Sequence, residues 1–170
     1  MSKAFTREDD TVEESILPRP VSPLPPGVKN YMTPDGAKRL QEELKQLTDV
    51  ERPRVAALVD PTGPRRELVA LDQRIVYLGE SLQTAVIVQP PTTPDEQVRF
   101  GATVTVRDKS GIESKYRLVG IDETDMDRNW ISWRSPIARA LLNTRVGQRV
   151  RFRLPTGEEQ LEIVALMYEP

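Results

Sequence analysis

Apolar residues recur along this chain with two different periods. Over residues 34–60, Leu40, Leu44, Leu47, Val50, Val55 and Leu58 form one stripe with steps of three to five, the spacing of an amphipathic α-helix. A second stripe, Leu68, Leu71, Ile75, Leu78 and Leu82, steps alternately by three and four, which is the seam of a coiled coil. Beyond residue 98 the period drops to two. Phe100, Ala102, Val104 and Val106 alternate with polar residues, and Val150, Phe152 and Leu154 do so opposite Leu161, Ile163, Ala165 and Met167. Alternation of this kind predicts half-buried strands.

Punctuation residues set the boundaries. Thr33 suits an N-cap, Pro34 the first helical position, and Asp35 the positive end of the helix dipole. Pro53 is expected to kink this first helix rather than end it, because the stripe resumes beyond it. Residues 34–60 would then span about 40 Å at the α-helical rise. Between the stripes lies Val55-Ala56-Ala57-Leu58-Val59-Asp60-Pro61-Thr62-Gly63-Pro64-Arg65-Arg66-Glu67-Leu68. No helix continues through Pro61 or Pro64, since each lacks an amide donor and clashes with the preceding turn. The chain must reverse there, giving an antiparallel helical hairpin. Narrow seams flanked by Arg65, Arg66, Asp72, Gln73 and Arg74 favour a projecting arm over a hairpin laid flat on a core.

In the period-two region, Asp108-Lys109-Ser110-Gly111 turns the chain into a strand carrying Tyr116 and Leu118, and Pro155-Thr156-Gly157 makes a second hairpin. Ser135 caps a short helix, 136–142, closed by Asn143. The fold class is therefore α+β: a two-helix antiparallel coiled coil followed by a mostly antiparallel sheet with one short helix. Pro90, Pro91 and Pro94 mark a linker. The organisation expected is a leader over 1–29, a hairpin over 30–88, a linker over 89–97 and a globular domain over 98–170. The leader carries Glu8, Asp9, Asp10, Glu13 and Glu14 and then Pro18, Pro20, Pro23, Pro25 and Pro26. Such a stretch buries too little apolar surface to fold, and reads as a solvated segment or a partner-binding tail.

Composition narrows the chemistry. The 170 residues carry a net charge of -2, so bulk electrostatics do not announce nucleic-acid binding. Cysteine and histidine are both absent, which removes disulfides, thiol nucleophiles, ordinary zinc sites and most acid–base schemes. No apolar run reaches the length of a membrane span, and MSKAFTREDD lacks the apolar core of a signal peptide. A cytoplasmic protein with no cofactor and no membrane association is expected; the oligomeric state is not given by composition, although a projecting arm makes a monomer natural.

Several stretches together resemble the bacterial Gre transcript-cleavage factors, the GreB branch more than GreA. These are Tyr31-Met32-Thr33-Pro34-Asp35-Gly36 with the leucine stripe behind it, Glu51-Arg52-Pro53, Phe100-Gly101-Ala102-Thr103-Val104, Tyr116-Arg117-Leu118-Val119-Gly120, and Ser135-Pro136-Ile137-Ala138-Arg139-Ala140-Leu141-Leu142. The resemblance spans residues 30–170. It implies an FKBP-like globular domain docked beside the secondary channel of RNA polymerase core, with the coiled coil reaching toward the active centre and indirectly toward transcript RNA. In that family, acidic residues in a Gly-Asp-x-x-Glu-Asn context at the tip hold a second magnesium ion and orient a water, and the polymerase cuts the RNA. Carboxylates there recruit the cation that activates the attacking oxygen.

This chain departs from that pattern at the tip. Asp60 is the one carboxylate at the bend; Arg65 and Arg66 follow, and Glu67 lies beyond them. The resemblance implies that about one heptad is missing from each helix relative to the family, roughly 10 Å of reach. A lone carboxylate binds magnesium poorly, and a neighbouring guanidinium opposes a cation by about 4 kcal/mol per unit charge at 4 Å and an effective dielectric of about 20, less at a wet surface. Asp60 also suits a plain turn before proline. Arg65 and Arg66 read either as solvated charge or as partners for phosphates or acidic channel walls. In the globular domain, Arg134 stands before Ser135-Pro136 where the family has Asp or Asn. The resemblance makes Arg134, Ser135, Pro136 and Arg139 the polymerase-docking residues. Of Trp130 and Trp133, one is expected in the core and the other as an exposed contact. The function expected is that of a Gre-family elongation regulator at the secondary channel, not itself an enzyme and without cleavage stimulation. The alternatives are a cleavage factor using Asp60 or Glu67, and a peptide-binding, FKBP-like module.

Overall fold

The computed structural model describes residues 24–58, 65–93 and 95–169. Most of the leader, Asp60 and the Pro61–Pro64 bend lie outside the described residues.

The chain enters through a short strand, β1 (Asn30–Met32), and then helix α1 (Pro34–Gln46). The Thr33 hydroxyl accepts the Gly36 N–H at 3.0 Å, so the N-cap forms as the residue types require. Helix α1 passes without a break through a π-helical turn (Leu47–Glu51) into α2 (Arg52–Leu58). Pro53 has no amide to donate, and the wider turn before it accommodates the gap. The Arg52 N–H bonds the Leu47 carbonyl, five residues back. The extra residue rotates the stripe. Val55 is buried, whereas Val50, which the apolar spacing places on the same face, is 48% exposed, and Leu58 is 76% exposed.

Helix α3 (Arg66–Thr84) returns antiparallel to α1 and α2. Leu78 lies at the centre of the arm base, packed with Met32, Ala37 and Leu40 and flanked by Leu44, Leu47, Leu82 and Ala85. Two ion pairs tie the helices together farther out: Arg52 to Asp72 at 2.5 Å and Arg74 to Glu43 at 2.8 Å. Directly after α3 the chain forms β2 (Ala85–Ile87), which pairs in parallel with β1. Residues 85–87 are therefore strand, within the segment expected as a helical hairpin.

The second unit is a five-stranded sheet in the order β5-β4-β3-β7-β6, formed by β3 (Ala102–Arg107), β4 (Glu113–Val119), β5 (Trp130–Ser132), β6 (Arg149–Leu154) and β7 (Gly157–Tyr168). All pairings are antiparallel except β4 with β5. Both turns expected from Asp108–Gly111 and Pro155–Gly157 close hairpins. Helix α4 (Pro136–Leu141) covers one face with Ala138 and Leu141, over Val98, Ala102, Val104, Val106, Leu118 and Ile163. Asn143 ends α4 in the left-handed region, φ 67°, and its N–H bonds the Val98 carbonyl.

Strand β7 corrects one expectation. Thr105 pairs with Ala165 but Val106 with Ile163, so Val164 is an extra residue in the ladder. A bulge of this kind switches the face that follows it. Leu161 and Ile163 point to the core as expected; beyond the bulge, Leu166 and Tyr168 do so instead, while Ala165 and Met167 are exposed.

Candidate functional site

Two places carry the residues singled out in the sequence. At the outer end of the arm, Arg65 precedes α3 with its carbonyl accepting the Val69 N–H, and Arg66 and Glu67 start the helix. All three side chains are exposed. Glu67 suits the helix dipole; the two cations oppose it. Glu67 also lies within electrostatic reach of Arg54, whose guanidinium is held in its charged form first by a hydrogen bond to Glu51, then by the charges of Glu51 and Glu67. Among the described residues, no group of three or more carboxylates converges as a metal site would need. The donor set on either side of the bend does not fit a magnesium ion held by an acidic cluster.

The other place is the turn that opens α4. Ser135 accepts the Ala138 N–H at 3.2 Å, and its own N–H bonds the Ser132 carbonyl at 2.8 Å. The Arg134 N–H bonds the Ser132 hydroxyl, and Arg139 reaches back from α4 to the Arg134 carbonyl at 2.9 Å. Pro136 and Arg139 are exposed, while Arg134 and Ser135 are half-buried. Arg134, Ser135, Pro136 and Arg139 therefore form one compact turn. The arm-tip residues sit on a separate element.

Neither tryptophan follows the division expected of it. Trp133 packs edge-on against Tyr31 at 5.2 Å, and Tyr31 meets Phe100 at 5.8 Å, so Trp133 belongs to the contact between arm base and sheet. Trp130 is surrounded by the guanidinium groups of Arg39, Arg117 and Arg128 at 4.7 to 5.1 Å, stacked in the cation–π manner. Arg117 is itself buried and paired with Glu169 at 2.8 Å.

Sequence reasoning missed the joint between the two units altogether. A 3-10 turn, Ile121–Glu123, follows β4. Glu123 is buried and accepts the backbone N–H of Thr33 at 3.0 Å and of Gly120 at 2.8 Å, as well as the Thr33 hydroxyl. Asp122 accepts the hydroxyls of Tyr77 and Ser81 on α3. Burial, then the hydrogen bond to Asp122, pushes the Tyr77 phenol well above its ordinary range. The available signal was Val119-Gly120-Ile121-Asp122-Glu123, two carboxylates directly after an apolar run.

Comparison with known proteins bears on this arrangement. The family model for the C-terminal domain, "Transcription elongation factor, GreA/GreB, C-term", matches residues 93–168, and that for the N-terminal domain matches residues 30–60. The chain is 38% identical to transcription elongation factor GreB of Neisseria meningitidis serogroup B, over 82% of this chain and 94% of that protein. This chain belongs to the GreA/GreB family of transcription elongation factors. It is also 36% identical to GreB of Pseudomonas aeruginosa over 82% of this chain and 90% of the relative. GreA factor homolog 1 of Thermus thermophilus aligns in structure with a TM-score of 0.39 and 25% identity, over 82% of this chain and 99% of that one. Within this GreA/GreB chain, the two matched segments include Thr33, helices α1 and α2, Glu123 and the Ser135 turn. They leave 61–92, with the proline bend and α3, between them.

Proposed function

We propose that this chain binds RNA polymerase core at the secondary channel and regulates elongation by occupying it, without stimulating transcript cleavage. The observation that carries this reading is the arm's end. From Val55 to Leu68 the only carboxylates are Asp60 and Glu67, interrupted by Pro61, Pro64, Arg65 and Arg66. Cleavage of the two-metal type needs anionic ligands that converge on the recruited cation. One acid in the bend and another beyond two arginines supply too little negative charge.

The docking half of the proposal is supported by the intact Ser135 cap and by Arg139 holding the Arg134 carbonyl. Arg134, Ser135, Pro136 and Arg139 present one surface to a partner, and Arg134 favours an acidic contact on it. Acting as a monomer in the cytoplasm, the protein would place its globular part over 98–170 at the channel mouth and the hairpin over 30–88 inside, with 89–97 between them. Competition tests this. A labelled active Gre factor on core polymerase should be displaced by this protein, and Arg134→Glu should weaken the displacement. No displacement at saturating protein would rule out the shared site.

A further inference from the structure

Two adjacent carboxylates each grip one helix of the arm. Glu123, whose side chain is fully buried, bonds the N–H and hydroxyl of Thr33 at the start of α1 and the N–H of Gly120 in its own domain. Arg39, one turn into α1, stands 4.0 Å away. Asp122 bonds Tyr77 and Ser81 on α3. The backbone leaves room for this approach only because two positions lack a side chain. A Cβ at Gly36 would lie 1.9 Å from a Glu123 carboxylate oxygen, and one at Gly120 would lie 2.4 Å from the Tyr31 carbonyl.

We propose that Glu123 and Asp122 are positioning residues that set the direction in which the arm projects from the sheet. A hairpin held at one point can swivel. Held at both helices it cannot, unless a buried carboxylate gives up its donors, which is costly. Direction matters because error grows with length: over the 25 residues from Pro34 to Leu58, a tilt of about 10° moves the far end by roughly 6 Å at the helical rise. Its functional importance rests on the channel-binding proposal; the mechanical statement does not.

The chain has no cysteine, so spin labels on a Lys45→Cys, Lys115→Cys double variant report one distance between arm and sheet. Both lysines are exposed. Pulsed electron resonance should give one narrow distance distribution with the joint intact, and a broadened or split one with Glu123→Gln or Gly36→Ala added. Far-UV circular dichroism checks that each variant is folded. Gly36→Ala is the decisive partner, since alanine favours helix at that position yet pushes Glu123 aside. A purely helix-stabilising effect would leave the distribution unchanged or narrower. An unchanged distribution in either folded variant overturns the proposal. Because polymerase is absent from the measurement, this failure is distinct from a failure to compete for the channel.

Discussion

Leu78 is fully buried at the centre of the arm base, against Met32, Ala37 and Leu40, each of which is buried in turn. Leu78→Ala removes three carbons from a site with little freedom to collapse, because Met32 lies in a strand tied to β2 and Leu40 in a capped helix. Buried Leu→Ala changes cost about 2–5 kcal/mol, rising with the cavity left behind, and the slight gain in helix propensity from alanine does not offset this. With a urea slope of about 2 kcal/mol per molar, the unfolding midpoint should fall by about 1–2.5 M. Leu58→Ala is the control. Leu58 is 76% exposed on α2, so its loss should stay within about 0.5 kcal/mol. Circular dichroism at 222 nm during urea titration reads both. A cost below about 1 kcal/mol for Leu78→Ala would refute the packing of the arm base, and an equal cost for the two would refute the stripe rotated by the π-helical turn.

Other predictions test separate parts of the structure. Beyond the β7 bulge, Leu166→Lys should destabilise by more than about 2 kcal/mol while Met167→Lys stays within about 0.5 kcal/mol; the reverse order would restore simple alternation. Removing the exposed Arg52–Asp72 pair in a double-mutant cycle should yield at most about 1 kcal/mol of coupling, diminishing with salt. Burial raises the phenols of Tyr77 and Tyr168 above their ordinary value of 10.0. The folded chain therefore keeps these protons where the unfolded chain has lost them. Their stability contribution is fully present below about pH 10 and is lost as the pH rises further. Urea midpoints should fall through this range, and Tyr77→Phe should flatten the fall; identical slopes would contradict the assignment.

What the sequence disclosed was local or periodic. The heptad-like steps of Leu68 to Leu82 identify α3, since every seam residue depends on a spacing set by the helix itself. The Thr33 and Ser135 caps, the two hairpin turns and the Asn143 stop are also short-range, and each forms as expected. Features made by distant partners stayed hidden. β1 and β2 are three residues each and pair across more than fifty positions, leaving no period to detect. The Val164 bulge depends on how β7 meets β3, not on β7 alone. Glu123 looks like one acid among many until Thr33, ninety residues away, is brought to it. At the candidate site, residue identities at the arm's end already pointed to weak metal binding. The internal bonding of the Arg134 turn and the aromatic contact made by Trp133 required coordinates.

RNA cleavage in stalled, backtracked transcription complexes tests the central claim most directly. Added at concentrations that displace an active Gre factor from the polymerase, this protein should leave the transcript uncut and should suppress cleavage by that factor. Stimulation on the scale of an active Gre factor, lost when Asp60 or Glu67 becomes alanine, would contradict the account.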